Sequence, residues 1–257
     1  MDKNINVREW VQELRGLKAS IKQRQLSRRE AIKSADRLLE QYSKRGAQPV
    51  TDVLNAHLQL HETKKQMEQT IQRYQEQHNT PVNTTTYNVL LSKSNSLENA
   101  LLLLDEMTVL GFYPNTYTLN GLIKLSPSVS EGQLILRNLS SYDVSPNIQT
   151  YNTLLSKANT EIEKEKILEE MSARNISRNL VTYNTLIGKA PDYPSAASLF
   201  MELKTRRLRP QINTMVTLLK KVNSRADLQH LLRLQEEENI QPNHAWYTNL
   251  RKAEDRL

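Results

Sequence analysis

The sequence predicts an all-α chain built as a solenoid of stacked helical hairpins. Three observations carry this: a 32-residue period, apolar pairs at helical spacing inside each period, and a proline that closes most of them. The period shows in Asn83-Thr-Thr-Thr-Tyr-Asn88, Asn115-Thr-Tyr-Thr-Leu-Asn120, Asn147-Ile-Gln-Thr-Tyr-Asn152 and Asn179-Leu-Val-Thr-Tyr-Asn184. Gln211-Ile-Asn-Thr-Met-Val216 and Asn243-His-Ala-Trp-Tyr-Thr248 continue it in decayed form. One hairpin cannot cover its own apolar face, so neighbours must stack, which excludes a compact active-site fold.

Each unit reads as two helices. Helix A starts at the Thr-Tyr-Asn motif and runs to about Lys93, burying its Tyr and the pair Leu90-Leu91. Leu122-Ile123, Leu154-Leu155, Leu186-Ile187 and Leu218-Leu219 repeat that pair. Ser94-Asn-Ser96 forms a turn whose hydroxyls can cap the next helix. Helix B, about Leu97 to Leu110, buries Ala100, Leu103, Leu104 and Met107; Gly111 and Pro114 stop it. Pro146, Pro210 and Pro242 close later units, with Arg178 as the exception.

Composition narrows the function classes. With 257 residues, 38% hydrophobic and 25% charged, the chain fits one domain or two small ones. Its longest apolar run, Ala100–Leu104, is far short of the roughly 20 residues that span a bilayer, so no membrane association is expected. Zero cysteines exclude disulfides, thiolate metal sites and a Cys nucleophile; six glycines supply no nucleotide-binding loop. No acid–base pair or oriented nucleophile appears, so neither catalysis nor a cofactor is expected. His57 and His61 have metal-ligand spacing beside Glu62, but without a third ligand they read as surface histidines on an amphipathic helix. Glu236-Glu-Glu238 and the acidic stretch from Glu161 to Glu170 read as solvated faces.

The net charge of +7 is a mild bias toward an anionic partner. It sits at the two ends: residues 1–80 carry 15 basic and 10 acidic groups, and residues 81–147 carry 3 and 5. Residues 1–30 hold five Arg and no apolar leader, while Asp2, Glu9, Glu13 and Glu30 argue against a transit peptide. A cytoplasmic location is therefore expected, with an organellar one as the alternative.

Val181-Thr-Tyr-Asn-Thr-Leu-Ile187 with Leu199-Phe-Met-Glu-Leu203, and Thr86-Tyr-Asn-Val-Leu-Leu91 with Ala100–Met107 and Gly111-Phe-Tyr-Pro114, resemble the pentatricopeptide repeat family. The resemblance covers residues 84–242 as five repeats. Domain bounds follow: a helical region over 1–80, repeats over 81–242, and a half repeat or cap over 243–257. Arg29–Lys33 through Gly46–Pro49 is similar to a degenerate helix B and its closing turn, so residues 1–80 hold one or two eroded repeats or a separate cap. The family's usual repeat is slightly longer, and the shortfall falls between Tyr87 and Ala100, nearly one turn at the end of helix A.

The resemblance implies a right-handed superhelix that binds single-stranded RNA along helix A, about one base per repeat. It implies that base choice rests on two positions per repeat: Asn88 with Asn115, Asn120 with Asn147, Asn152 with Asn179, Asn184 with Gln211, and Val216 with Asn243. A carboxamide offers donor and acceptor together, which suits the edge of C or U. The resemblance further places base-stacking groups at Thr85, Tyr117, Gln149, Val181 and Asn213, of which only Val181 is the aliphatic type it calls for. A lysine column, Lys93, Lys124, Lys157, Lys189 and Lys221, could neutralise phosphates, or could simply sit at helix A C-termini where the dipole favours it.

The junction asparagines Asn115, Asn147, Asn179 and Asn243 have an alternative reading as helix N-caps. Asn88, Asn120, Asn152 and Asn184 lie inside helix A, where Asn is a poor helix former with no cap to make, which favours base reading. A site of about five nucleotides would bind at roughly micromolar affinity or weaker. Unique targeting would therefore need help from the basic N-terminal region, from a protein partner acting through residues 1–80, or from oligomerisation. The rival reading is a peptide-binding helical scaffold.

Overall fold

The structure is a computed structural model and describes residues 7–257. Asp2 and the rest of the first six residues of the N-terminal region lie outside the described residues.

Among the described residues every regular element is a helix. The helices are α1 Val7–Lys22, α2 Arg28–Lys44, α3 Thr51–Leu58, α4 Lys64–His78, α5 Thr84–Leu91, α6 Leu97–Val109, α7 Thr116–Leu125 and α8 Val129–Leu139. After a short 3-10 turn over Ser140–Tyr142 come α9 Ile148–Lys157, α10 Glu161–Ala173, α11 Leu180–Lys189, α12 Tyr193–Thr205, α13 Ile212–Leu219, α14 Arg225–Glu237 and α15 His244–Glu254. Odd-numbered helices take the helix A role and even-numbered ones the helix B role. From α5 to α14, helix A has 8–10 residues and helix B 11–13, so the shorter member is the one in which the sequence lacks nearly a turn.

The helices fall into two compact units, and the division passes through α8. The first holds the residues up to Ser126 and Leu134–Ser145; the second holds Pro127–Gln133 and Pro146–Leu257. In the first, α1 packs on α3, α3 on α5 and α5 on α7, while α2, α4 and α6 back α1, α3 and α5. In the second, α9, α11, α13 and α15 pack in the same succession, backed by α10, α12 and α14. Stacked hairpins of this kind are the architecture that the period predicts.

Packing follows the apolar columns. Leu90, Leu91, Leu154, Leu155, Ile187, Leu218 and Leu219 are buried, as are Ala100, Leu103 and Met107 of α6, whereas Leu104 is only half-buried. Each fully buried side chain of this size is worth about 1.5–3 kcal/mol. At the α5–α7 contact a Cβ on Gly121 would stand 2.5 Å from Cδ2 of Leu91, so a larger residue there would have to displace the Leu91 side chain. Upstream, Trp10 of α1 stacks on Tyr42 of α2 with ring centroids 4.6 Å apart, and Trp10 is fully buried. The histidines of α3 and its following turn are not on the surface as expected. His57 is fully buried and His61 is 6% exposed. Their ring nitrogens meet Tyr74 Oη at 3.0 Å and Thr70 Oγ1 at 2.9 Å, so both are held inside the α3–α4 hairpin by hydroxyls of α4. Burial holds the His57 imidazole down to a pKa of about 3, with His61 and Arg73 adding to the effect.

Helix ends are set locally. Ser96 caps α6 by accepting from the Asn99 N–H, as its position in the turn predicts. Helix B ends on a left-handed residue, and these recur at the repeat period: Asn79, Gly111, Asp143, Asn175, Arg207 and Asn239. At Gly111 the Phe112 N–H returns to the Met107 carbonyl at 2.8 Å, closing a Schellman turn. Arg178, at the position where other units have proline, reaches Glu202 Oε1 at 3.4 Å.

Candidate functional site

The recurring asparagines form a ladder between successive helices A. At the start of each helix the junction residue accepts from backbone N–H groups through its side-chain oxygen, which fixes the orientation of the carboxamide. Asn115 Oδ1 accepts from Tyr117 N at 3.0 Å and Thr118 N at 3.1 Å; Asn147 Oδ1 accepts from Gln149 N at 2.9 Å and Thr150 N at 3.1 Å. Asn179 accepts from Thr182 N at 3.0 Å and Asn243 from Trp246 N at 2.9 Å. In four of these caps, at Asn83, Asn115, Asn147 and Asn179, the Asn N–H donates in return to the hydroxyl of the Thr three positions on, giving a capping box in which Thr stands for the usual Glu. The N-cap reading of the junction asparagines is thus their observed local role.

Two of the helix-interior asparagines, which have no cap to make, have structural partners across the hairpins. Asn88 Nδ2 donates to Asn115 Oδ1 at 3.3 Å, and its Oδ1 accepts from the Thr118 hydroxyl at 2.7 Å. Asn152 does the same toward Asn179 (3.2 Å) and Thr182 (2.7 Å). Each of these carboxamides therefore pins one helix A to the N-terminus of the next. Asn88 is only 5% exposed and Asn120 8%, while Asn152 and Asn184 are half-buried.

Sequence reading missed one member of the ladder. Asn55 of α3 donates to Asn83 at 3.3 Å and accepts from Thr86 at 2.8 Å, the same arrangement one hairpin upstream. It stands one position outside the register of Asn88, and no Thr-Tyr precedes it, so the period does not reveal it. The ladder fails at the other end. Gln211 makes no side-chain cap bond, and Asn184 Oδ1 is buried without a partner. Val216, where an amide is lost, packs half-buried against the core of the second unit.

The column expected to stack on bases lies open. Thr85, Gln149 and Asn213 are exposed, Tyr117 is 63% exposed and Val181 55%. All five stand in the first turn of a helix A. The lysine column divides. Lys189 Nζ donates to the Ala158 carbonyl at 2.6 Å and Lys221 Nζ to the Ala190 carbonyl at 2.6 Å, so both cap the end of the preceding helix A. Lys124 is exposed, while Lys93 and Lys157 are half-buried. The acidic stretches form ion pairs: Lys164 with Glu161, and Lys204 with Glu238. Among the described residues no group of three or more His, Cys, Asp or Glu is placed to hold a metal, and no helix is long and apolar enough to cross a membrane.

Comparison with known proteins adds a family-model match over part of the chain. The pentatricopeptide repeat domain model matches residues 102–159, 134–190 and 166–225, each match starting one repeat period after the last. No curated protein matches the sequence. Among solved structures, the pentatricopeptide repeat protein PPR10 from maize is similar at 20% identity and a TM-score of 0.57, over 96% of this chain and 40% of that one. PPR10 in complex with an 18-nt psaJ RNA element is similar at 22% identity and a TM-score of 0.51, over 88% of this chain and 39% of that one. The chain thus spans about two fifths of the length of these two PPR10 chains, and the likeness carries the fold. Residues 102–225 thus match the pentatricopeptide repeat domain, and the matches keep the short period read from the sequence.

Proposed function

We propose that the helix A column binds single-stranded RNA. The observation that carries this reading is the exposed first-turn residue of helix A in each unit, Thr85 and Tyr117 in the first and Gln149, Val181 and Asn213 in the second, at the repeat period of the sequence. A stacked solenoid presents such a column at a regular interval, which suits a strand with a base at each step. PPR10, a fold neighbour, is known in complex with an 18-nt RNA element, which agrees with the reading.

The finer proposal is one base per repeat, with a preference for C or U set by the pairs from Asn88 with Asn115 to Val216 with Asn243. The ladder uses one hydrogen and one lone pair of Asn88 and of Asn152, and a carboxamide has two of each. The remaining donor and acceptor serve the base edge. The lysine column, Lys93, Lys124, Lys157, Lys189 and Lys221, is proposed to meet phosphates, and for Lys189 and Lys221 that means leaving the carbonyls they hold. The action is steric: the bound segment is shielded or remodelled, or a processing partner is recruited, with no chemistry of the chain's own. A cytoplasmic location belongs to the same proposal.

A second reading, a protein-binding scaffold, is favoured by one observation. Leu102, Val109, Leu110 and Tyr113 of the first unit are 56–86% exposed on α6 and the turn after it, an apolar group outside the residues 1–80 proposed to meet a partner.

The test is fluorescence anisotropy with short C, U and A RNAs and a DNA control at two salt concentrations. Tyr117→Ala/Val181→Ala is the informative variant, because both side chains are exposed and outside the ladder. Pyrimidine-selective RNA binding that weakens about ten-fold or more in the variant, at about 1–3 kcal/mol per lost stack, supports the reading. Absent binding, or unselective binding unchanged in the variant, sinks it and leaves the scaffold.

A further inference from the structure

Lys93 holds the same column position as Lys189 and Lys221 but does not make their bond. In the first unit the carbonyl just past the end of the preceding helix A is taken by another cation: Arg28 Nη1 donates to the Leu60 carbonyl at 2.9 Å, and Arg28 Nε pairs with Glu62 at 2.8 Å. Lys18 of α1 donates to Gln59 Oε1 at 2.7 Å. Lys18, Arg28 and Gln59 line a cavity of about 550 Å³ together with Lys22, Lys93 and the exposed ring of Tyr117. Among the described residues, Lys22 and Lys93 have no hydrogen-bond or ion-pair partner. Four cations therefore line one cavity, and among the described residues Glu62 is the single carboxylate paired to any of them. The Lys93 ammonium feels this: burial lowers its pKa, and Arg28 and Lys18 lower it further, with Glu62 pulling back. Unbalanced cations drawn together in a half-enclosed hollow are the electrostatic complement of a multiply charged anion.

We propose that this cavity is a phosphate site, in which Lys22 and Lys93 hold the phosphate, Lys18 and Arg28 set its field, and Tyr117 stacks on the adjoining base. For what carries the phosphate, the proposal rests on the RNA reading. It adds an anchor that the repeats do not themselves supply, because Lys18, Lys22 and Arg28 come from α1 and α2. A strand can offer a terminal monophosphate or an internal phosphodiester, and the two are separable by experiment.

Two measurements on the full chain test it. The first is thermal unfolding with and without pyrophosphate for the wild type, Lys22→Gln/Lys93→Gln, and the exposed-charge control Lys166→Gln. Pyrophosphate should raise the midpoint of the wild type and the control, and leave the pocket variant unmoved. The second is anisotropy over a salt series with RNA bearing a 5′-phosphate or a 5′-hydroxyl. The pocket variant should bind about ten-fold more weakly, with the slope of log K against log salt reduced by roughly 1–2. A wild-type preference for the 5′-phosphate assigns the terminal group, and equal binding assigns an internal one. An undiminished pyrophosphate shift in the pocket variant overturns the site. A wild type that takes pyrophosphate through Lys93 but binds no RNA overturns the RNA reading and leaves the phosphate site standing.

Discussion

The α3–α4 hairpin and the α11–α13 junction are opposites. The first has almost none of the repeat motif, yet Asn55, Asn83 and Thr86 complete the amide interlock. The second has the motif in full at Val181–Ile187, yet Gln211 replaces the junction Asn and Asn184 Oδ1 is left buried without a partner. The difference is one methylene. Gln carries its carboxamide one methylene further out, so it makes no full cap hydrogen bond and the tight acceptor shared by cap and interlock is weakened, although the Gln211 N–H still donates to Thr214 Oγ1 at 3.2 Å. What the interlock requires is an amide pair with a Thr hydroxyl, and the Tyr and apolar columns, which stack α11 on α13 all the same, do not by themselves supply it.

The interlock gives the largest expected effect. Asn152→Ala should cost about 2 kcal/mol in urea unfolding, because it takes from the Thr182 hydroxyl the nearer of its two acceptors and from the Asn179 oxygen one of its donors. Asn184→Ala, where that network is already broken, should cost about 0.5 kcal/mol or less. Equal costs at the two positions would mean the interlock contributes nothing beyond ordinary burial.

The upstream hairpin differs in a second way, through its buried His57. The folded pKa of His57 is depressed to about 3 from 6.5, so below pH 6.5 the unfolded chain binds a proton that the folded one refuses. Stability must then fall as pH drops from 6.5 toward 3, by at most about 1.4 kcal/mol per pH unit for one proton. His61 and His78, also depressed by burial, act in the same direction. Midpoints measured between pH 5 and 6.5, above the range where carboxylates titrate, should show this slope, and His57→Gln should flatten it. A wild-type profile flat across that window would refute a neutral buried His57.

Most of the fold was legible because its signal is additive. Leu90, Leu122, Leu154, Leu186 and Leu218 need only be apolar and in register, and stacking does the rest. The candidate site was less legible because an amide announces no partner. Asn88 inside a helix has the same letters whether it faces a base or a neighbouring helix, and only the packed geometry shows Thr118 against it. Asn55 escaped because one extra position broke the period, and Lys93 resembled Lys189 because the competing Arg28 lies far upstream, at the start of α2. The left-handed column escaped for another reason: Asn79, Gly111, Asp143, Asn175, Arg207 and Asn239 share a backbone conformation and not a side-chain type.

The smaller predictions repair what the second unit lacks. Gln211→Asn should restore the cap and offer Asn184 Nδ2 the acceptor that Asn115 and Asn179 offer Asn88 and Asn152, raising stability by about 1 kcal/mol. The gain should vanish in the Asn184→Ala background if it comes through the interlock, and persist there if it comes from the cap alone. Arg207 is the last and smallest case. At φ +58° it bears the left-handed penalty that Gly avoids and Asn or Asp softens, about 1–2 kcal/mol for an ordinary side chain. Arg207→Gly removes that penalty but adds freedom to the unfolded chain, worth about 0.5–1 kcal/mol. The net should be a gain of roughly 0.5 kcal/mol. Asn175→Gly, in the equivalent turn one repeat earlier, should change stability far less, since Asn already tolerates that conformation. The two substitutions together isolate the backbone term: they share the turn, the added glycine and the unfolded-state cost, and differ in the side chain removed. A gain at Arg207 without one at Asn175 would assign the strain to the arginine.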